Sequence, residues 1–192
     1  MHRVVVADPP WKFSDSLPGP KRGAASHYGV LKTPDIVRFL ETDVKAKIAA
    51  DAILFMWCVP AMAPAAYEVV RGWGFTPKSE LIWVKTARAG GDGLHFGMGR
   101  YVRMAHERCI IATRGKALDL VGDHSTRSVF FAPVGGHSVK PDAFYDLVEK
   151  LTPGGPFLEL FARRKREGWT TLGNEVEGEG AARPLLEDAG GI

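Results

Sequence analysis

The chain has 192 residues, 45% of them hydrophobic, enough for one domain with a sizeable core. Its 25 lysines and arginines against 22 aspartates and glutamates leave a formal charge of +3, which permits a polyanionic partner without demanding one. No apolar run approaches the roughly 20 residues of a membrane-spanning helix, and the chain opens on a strand-like run instead of a secretory signal, so a cytoplasmic protein with no membrane partner is expected.

Val4-Val5-Val6-Ala7 has the β-branched, apolar character of a strand covered on both faces. It ends abruptly in Asp8-Pro9-Pro10-Trp11. Each proline sets φ near about −65°, and Pro10 biases Pro9 toward an extended conformation, so Asp8 is held rigidly at a strand's carboxyl end. In open α/β sheets that edge is where ligands bind. The chemistry that fits is methyl transfer to an exocyclic amine of a base. The lone pair of an adenine amine is delocalised into the ring, so the amine has to be held with both N–H bonds engaged. The Asp8 carboxylate and the Pro9 carbonyl are the two acceptors on offer, and Trp11 presents a π-face to a base lifted from its stack. Standing alone, the same four residues also describe an ordinary Pro-Pro turn ahead of a core tryptophan.

Residues 12–29 are polar and rich in glycine, proline and serine, with Lys12, Lys21, Arg22 and His27 before Tyr28-Gly29, a long loop leaving the active edge. Thr33-Pro34-Asp35 supplies an N-cap and a proline at the first helical position, and Ile36, Val37, Leu40 and Val44 give the helix an apolar face. A second strand follows at Ala52–Cys58. A helix from Pro64 carries Tyr67, Val69 and Val70 and stops near Gly72-Trp73-Gly74, and a third strand covers Glu80–Lys85. This βαβαβ alternation predicts a parallel, doubly wound sheet. Cys58 and Cys109 sit in apolar runs with no C-x-x-C spacing, as buried free thiols in a reducing compartment would.

From Thr86 to His106 the periodicity disappears and glycine accumulates, with Arg88, His95, Arg100, Arg103 and His106 interleaved with Phe96 and Tyr101. Such a loop suits a nucleic-acid backbone with splayed bases; a solvated loop that carries arginines is the alternative. A strand at Glu107–Thr113, a polar hairpin-like segment and a short strand at Ser128–Phe131 come next. His106-Glu107-Arg108-Cys109 has no second ligand pair at a matching spacing, so no metal is expected. Beyond Gly135-Gly136-His137-Ser138-Val139, Pro141 opens a helix carrying Phe144, Leu147, Val148 and Leu151. Lys140 sits near its N-terminus, where helix dipole and ammonium together attract a carboxylate. Phe157–Arg163 reads as a buried strand ending in small and basic residues. A last strand at Trp169–Leu172 leads into Gly173-Asn174-Glu175, an amide and an acid suited to ribose hydroxyls and an adenine edge. Past about Val176 the composition turns to glycine, glutamate, alanine and proline, giving a single domain over 1–176 and a tail over 177–192 expected to be disordered.

In order along the chain, these segments resemble the MT-A (seventy-kilodalton subunit) family of adenine-N6 methyltransferases. The resemblance rests on Ala7-Asp8-Pro9-Pro10-Trp11, Tyr28 with Thr33-Pro34-Asp35-Ile36, Leu81-Ile82-Trp83-Val84-Lys85-Thr86 and His106-Glu107-Arg108-Cys109. It continues through His137-Ser138-Val139-Lys140-Pro141, Leu158-Glu159-Leu160-Phe161-Ala162-Arg163 and Trp169 to Glu175. It implies an α/β, Rossmann-like class I fold that uses S-adenosylmethionine, in permuted order, with the catalytic motif first and the cofactor motif last. By the same resemblance Asp8, Pro9, Pro10 and Trp11 bind the target adenine, and Asp8 also meets the cofactor's amino group. Lys140 pairs with the methionine carboxylate, and Phe161, Arg163, Asn174 and Glu175 hold the rest of the cofactor. Tyr28 joins Trp11 on the substrate side, and the loop's own composition adds Arg88, Arg100 and Arg103. Long RNA-type members have a further strand before the motif and a longer segment after the residue matching Arg163. Their absence here points to the short prokaryotic branch, with DNA favoured over RNA as substrate. Relatives that pair catalytic with non-catalytic chains leave a homo- or heterodimer open, and with it a non-catalytic subunit role. Cytosine N4 or a protein amide, which present the same planar amine, are the alternative acceptors.

Overall fold

The computed structural model describes residues 1–12, 30–42, 44–87, 93–97, 101–136 and 139–173. Its strands are β1 (His2–Ala7), β2 (Ile48–Cys58), β3 (Thr76–Thr86), β4 (His106–Arg114), β5 (Val129–Pro133), β6 (Phe157–Leu160) and β7 (Trp169–Leu172). Helices α1 (Thr33–Phe39) and α2 (Ala63–Gly72) fall in the first half, and α3 (Asp142–Leu151) in the second. The strands form one sheet in the order β5-β3-β4-β2-β1-β6-β7.

Side chains alternate across a strand, so the apolar runs of the central strands feed two cores at once. Val5, Ala7, Leu54 and Met56 face α1 and α2 with Ile36, Val69 and Val70. Val4, Val6, Phe55 and Trp57 face the other way, toward Phe144, Tyr145 and Val148 of α3. The Phe144 ring lies 4.7 Å from Trp57 and 6.3 Å from Phe55, which docks α3 on the sheet. A helix layer on each side is the doubly wound arrangement that the alternation of elements predicts.

The sheet is not wholly parallel. β4 runs antiparallel to both β2 and β3, while every other pairing is parallel. A parallel return needs a crossover of a dozen or more residues, usually helical, and the glycine-rich connection after β3 has no apolar periodicity to build one. The chain therefore turns back beside β3, and the amino end of β4 joins the carboxyl ends of the other six strands along one edge.

Several boundaries also differ from the sequence expectation. The strand expected at Ala52 begins at Ile48, and the one expected at Glu80 begins at Thr76 because a register shift between Pro77 and Ser79 absorbs the proline. Lys32, not Thr33, caps α1, and the helix ends at Phe39; Val44 is buried by a separate turn. The strand expected to run to Arg163 ends at Leu160, because Phe161 takes a left-handed conformation with φ 61°. Cys58 and Cys109 are both buried free thiols, on opposite faces of the sheet.

Candidate active site

β1 lies between β2 and β6, and the chain leaves it toward the α1 face while α3 leads into β6 on the other face. That divergence opens a crevice at the carboxyl ends of β1 and β6, the position at which open α/β sheets bind ligands. Asp8 emerges there, its backbone N–H donating to the Leu160 carbonyl of β6 at 3.4 Å. The loop beyond it is fastened at several points. The Trp11 N–H donates to the Pro9 carbonyl at 2.8 Å and the Leu31 N–H to the Pro10 carbonyl at 2.9 Å. The Trp11 indole N–H donates to the Trp57 carbonyl at 3.0 Å. With only 5% of its surface exposed, Trp11 packs in the α1–α2 core and holds the loop down. The open π-face that the sequence suggested for a flipped base is occupied by this packing.

Asp8 is one end of a chain of alternating charges. Lys140 Nζ donates to Asp8 Oδ2 at 2.8 Å and lies 3.3 Å from Glu107 Oε2, while Lys85 Nζ lies 2.6 Å from Glu107 Oε1. The antiparallel course of β4 produces this, since it sets Glu107 opposite Trp83, two residues before Lys85 on β3 at the same edge. Two indoles floor the chain. Lys140 Nζ stands 5.1 Å from the Trp57 ring and Lys85 Nζ 5.2 Å from the Trp83 ring, and the rings meet edge to face. Burial on its own would lower the Lys140 pKa, but Asp8 and Glu107 outweigh it and raise the ammonium to about 12. Burial on its own would raise Glu107, but Lys140 and Lys85 hold its carboxyl at about 2.

Sequence reasoning places Lys140 just ahead of a helix N-terminus, where the structure has it, but does not reach its carboxylate neighbours Asp8 and Glu107. Glu107 stands in the sequence as the start of a strand and as part of His106-Glu107-Arg108-Cys109, with no role of its own. The available signal was an acid at the first turn-side residue of a strand following a loop without a crossover helix, which marks an antiparallel return to the active edge. Beside this chain of charges is a cavity of about 500 Å³, bounded by Trp83, Lys85, His95, Glu107, Gly136 and Lys140. That size is ordinary for small-ligand sites.

On the other side of Asp8, β6 ends at the left-handed Phe161, whose ring packs 4.6 Å from Phe39. A non-glycine residue in that region carries strain, and such strain concentrates where the backbone meets a ligand. Ala162 donates to the Leu172 carbonyl at 3.0 Å, and a Cβ on Gly173 would collide with the Ala162 backbone, so β6 and β7 leave the sheet in close contact. Arg163 follows, half-buried. Beneath this turn is an acid absent from the sequence reading's candidates: Glu159, which accepts from the Tyr145 hydroxyl at 2.7 Å and is raised by burial to about 7. Arg103 is exposed on the segment entering β4. Tyr28, Arg88, Arg100, Asn174 and Glu175 lie outside the described residues, as does the 177–192 tail.

Residues 2–175 match the family model described as MT-A70. The chain is 32% identical over 177 residues to the Homo sapiens N(6)-adenosine-methyltransferase catalytic subunit METTL3, a match covering 91% of this chain and 28% of that protein. It is 30% identical over 185 residues to the Drosophila melanogaster N(6)-adenosine-methyltransferase MT-A70-like protein, covering 95% and 28%. To the Mycoplasma type II methyltransferase M.MunI it is 28% identical over 192 residues, covering 91% of this chain and 78% of that one. The chain thus spans little more than a quarter of the length of the N(6)-adenosine methyltransferases but most of the length of the type II enzyme.

Proposed function

The chain belongs to the MT-A70 family, and from that premise we propose that it transfers a methyl group from S-adenosylmethionine to the N6 amine of adenine in nucleic acid, with DNA preferred to RNA. The observation that carries this reading is Asp8-Pro9-Pro10-Trp11 held at the ligand-binding edge with Lys140 on the Asp8 carboxylate. The preference for DNA draws its support from the likeness along most of M.MunI. Location in the cytoplasm is part of the same proposal and accords with two buried cysteines that remain thiols.

The charge pattern suits the cofactor. A carboxylate and an ammonium 2.8 Å apart complement the ammonium and carboxylate of an amino-acid group. Lysine has three N–H donors, and with two directed at Asp8 and Glu107 the third is assigned to the cofactor carboxylate. Phe161 and Arg163, together with Asn174 and Glu175, are assigned to its nucleoside half. When bound, S-adenosylmethionine supplies an electrophilic methyl group. The chain's own task is to present the amine. Lys140 holds Asp8 Oδ2, leaving Oδ1 to accept one amine N–H, and the Pro9 carbonyl, which gives one lone pair to Trp11, accepts the second.

Incubation with isotopically labelled S-adenosylmethionine and a panel of DNA and RNA, followed by nucleoside mass spectrometry, tests this reading. N6-methyladenine in DNA is the expected product, and Asp8→Asn should lower turnover by about 10²-fold or more in a folded protein, the scale of losing one preorganised polar contact. Label in N4-methylcytosine or in protein, no transfer at all, or turnover by Asp8→Asn within a few-fold of wild type would overturn it.

A further inference from the structure

Of the eight large hydrophobic residues exposed among the described residues, four fall in one stretch: Leu94, Phe96, Tyr101 and Val102, at 53%, 57%, 92% and 64%. Such clustering is uncommon on a free surface and marks a contact. The stretch is tied to the active edge. Leu94 forms an antiparallel bridge to Thr86, the His95 N–H donates to the Lys85 carbonyl at 2.9 Å, and the Gly97 N–H donates to the Met104 carbonyl at 2.9 Å. Extended pairing sends successive side chains to opposite sides. His95 accordingly borders the cavity with Lys85 and Glu107, while Phe96 is turned outward beside it.

The charge carried by this stretch of sequence selects the partner. Between Ala87 and His106 the sequence has three arginines, Arg88, Arg100 and Arg103, and one acid, Asp92. An apolar protein surface gains nothing from a stretch so rich in cations, whereas a nucleic-acid strand offers phosphates to its arginines and base faces to its rings. Because Phe96 faces away from the cavity, the bases it meets are neighbours of the target, not the target itself. We propose that Phe96 and Tyr101 stack the unpaired bases flanking the target adenine, so that the protein takes its substrate as a single strand or a locally opened duplex. The proposal rests on the nucleic-acid methyl-transfer reading above.

The test uses the full chain and the best oligonucleotide from the substrate panel, with 2-aminopurine placed on either side of one adenine. Binding to wild type and to Tyr101→Phe should quench the probe. Combined Phe96→Ala and Tyr101→Ala should abolish the quench and weaken affinity by roughly 5- to 150-fold per aromatic, the range for one base stacked on one ring. Cofactor affinity and the log–log salt slope should stay unchanged, since stacking releases no counterions. Unaltered quench and affinity in the alanine variant, or a shallower salt slope, would overturn the inference. So would unaltered nucleic-acid affinity accompanied by loss of a dimer in sedimentation, which would give the patch to a second copy of the chain. Failure of wild type to bind or methylate any oligonucleotide would sink the methyl-transfer reading and this one with it. Activity in wild type with an indifferent alanine variant sinks this one alone.

Discussion

Two glutamates lie near Asp8, and they are held in opposite ways. Glu107, at the amino end of β4, lies between two lysines and is pulled down to about 2; Glu159, within β6, faces a tyrosine hydroxyl and is pushed up to about 7. Burial pushes both carboxyls upward, so burial does not separate them. The partner does: an ammonium stabilises the charged form by Coulomb attraction and hydrogen bonding together, and a phenol supplies a hydrogen bond alone. One side of the crevice is therefore kept fully ionised at neutral pH, while the other sits at the point where an acid changes state.

The largest expected effect comes from breaking the ionised side. Lys140→Ala leaves Asp8 and Glu107 without the cation they share, and removing one partner of a buried ion pair costs about 3–5 kcal/mol. Urea denaturation should show that loss, and calorimetry should show weakened S-adenosylmethionine binding. An unchanged midpoint would mean the bridge contributes nothing. On the neutral side the effect is smaller. Tyr145→Phe deletes the donor to Glu159 Oε1, and Oε2 has no hydrogen-bond partner among the described residues, so the cost should be about 1–3 kcal/mol. A loss as large as that for Lys140→Ala would mean that the phenol holds Glu159 as strongly as the ammonium holds its two carboxylates.

The smallest effect is visible only against pH. Glu159 is raised above its ordinary 4.5, so between about 4.5 and 7 the folded chain holds a proton the unfolded chain has released, and stability falls as pH rises through that window. Glu107 is lowered, so its contribution is present above 4.5 and is lost as pH falls toward about 2. Lys140, raised above 10.5, contributes fully below that value and loses its contribution as pH climbs through about 12. Glu159→Gln keeps an acceptor for Tyr145 and should change stability by less than about 1 kcal/mol at pH 5 while flattening the decline toward pH 7. Thermal melts across that range would show it; an undiminished decline would assign the slope to other groups.

What the sequence revealed of this arrangement follows the range of the interactions involved. Asp8 at a strand end, the βαβαβ alternation, the Trp169–Leu172 strand and Lys140 ahead of a helix are set by neighbours a few residues apart, and the structure has all of them. The direction of β4 depends on the connection after β3, whose sequence lacks the apolar periodicity of a crossover helix. The Lys140–Asp8 contact joins residues 132 apart, and no local pattern encodes it. Trp11 looked available because its burial comes from the α1–α2 layer, which a reading of four adjacent residues does not include. Glu159 is an acid inside an apolar strand, and its environment depends on Tyr145, 14 residues away on α3.

The two cysteines have a practical consequence. Trp57 pairs with Cys109 across β2 and β4, which puts Cys58 and Cys109 on opposite sides of the sheet, where no intrachain disulfide can join them. Burial raises the Cys58 thiol to about 11 and Cys109 well above its ordinary range, so neither presents a thiolate to solvent at neutral pH. Since these are the chain's only cysteines, the native protein offers a silent background for thiol-directed reagents. A single cysteine engineered on the exposed stretch before β4 would then take a fluorophore or spin label at that one place, with the natural residues left as they are.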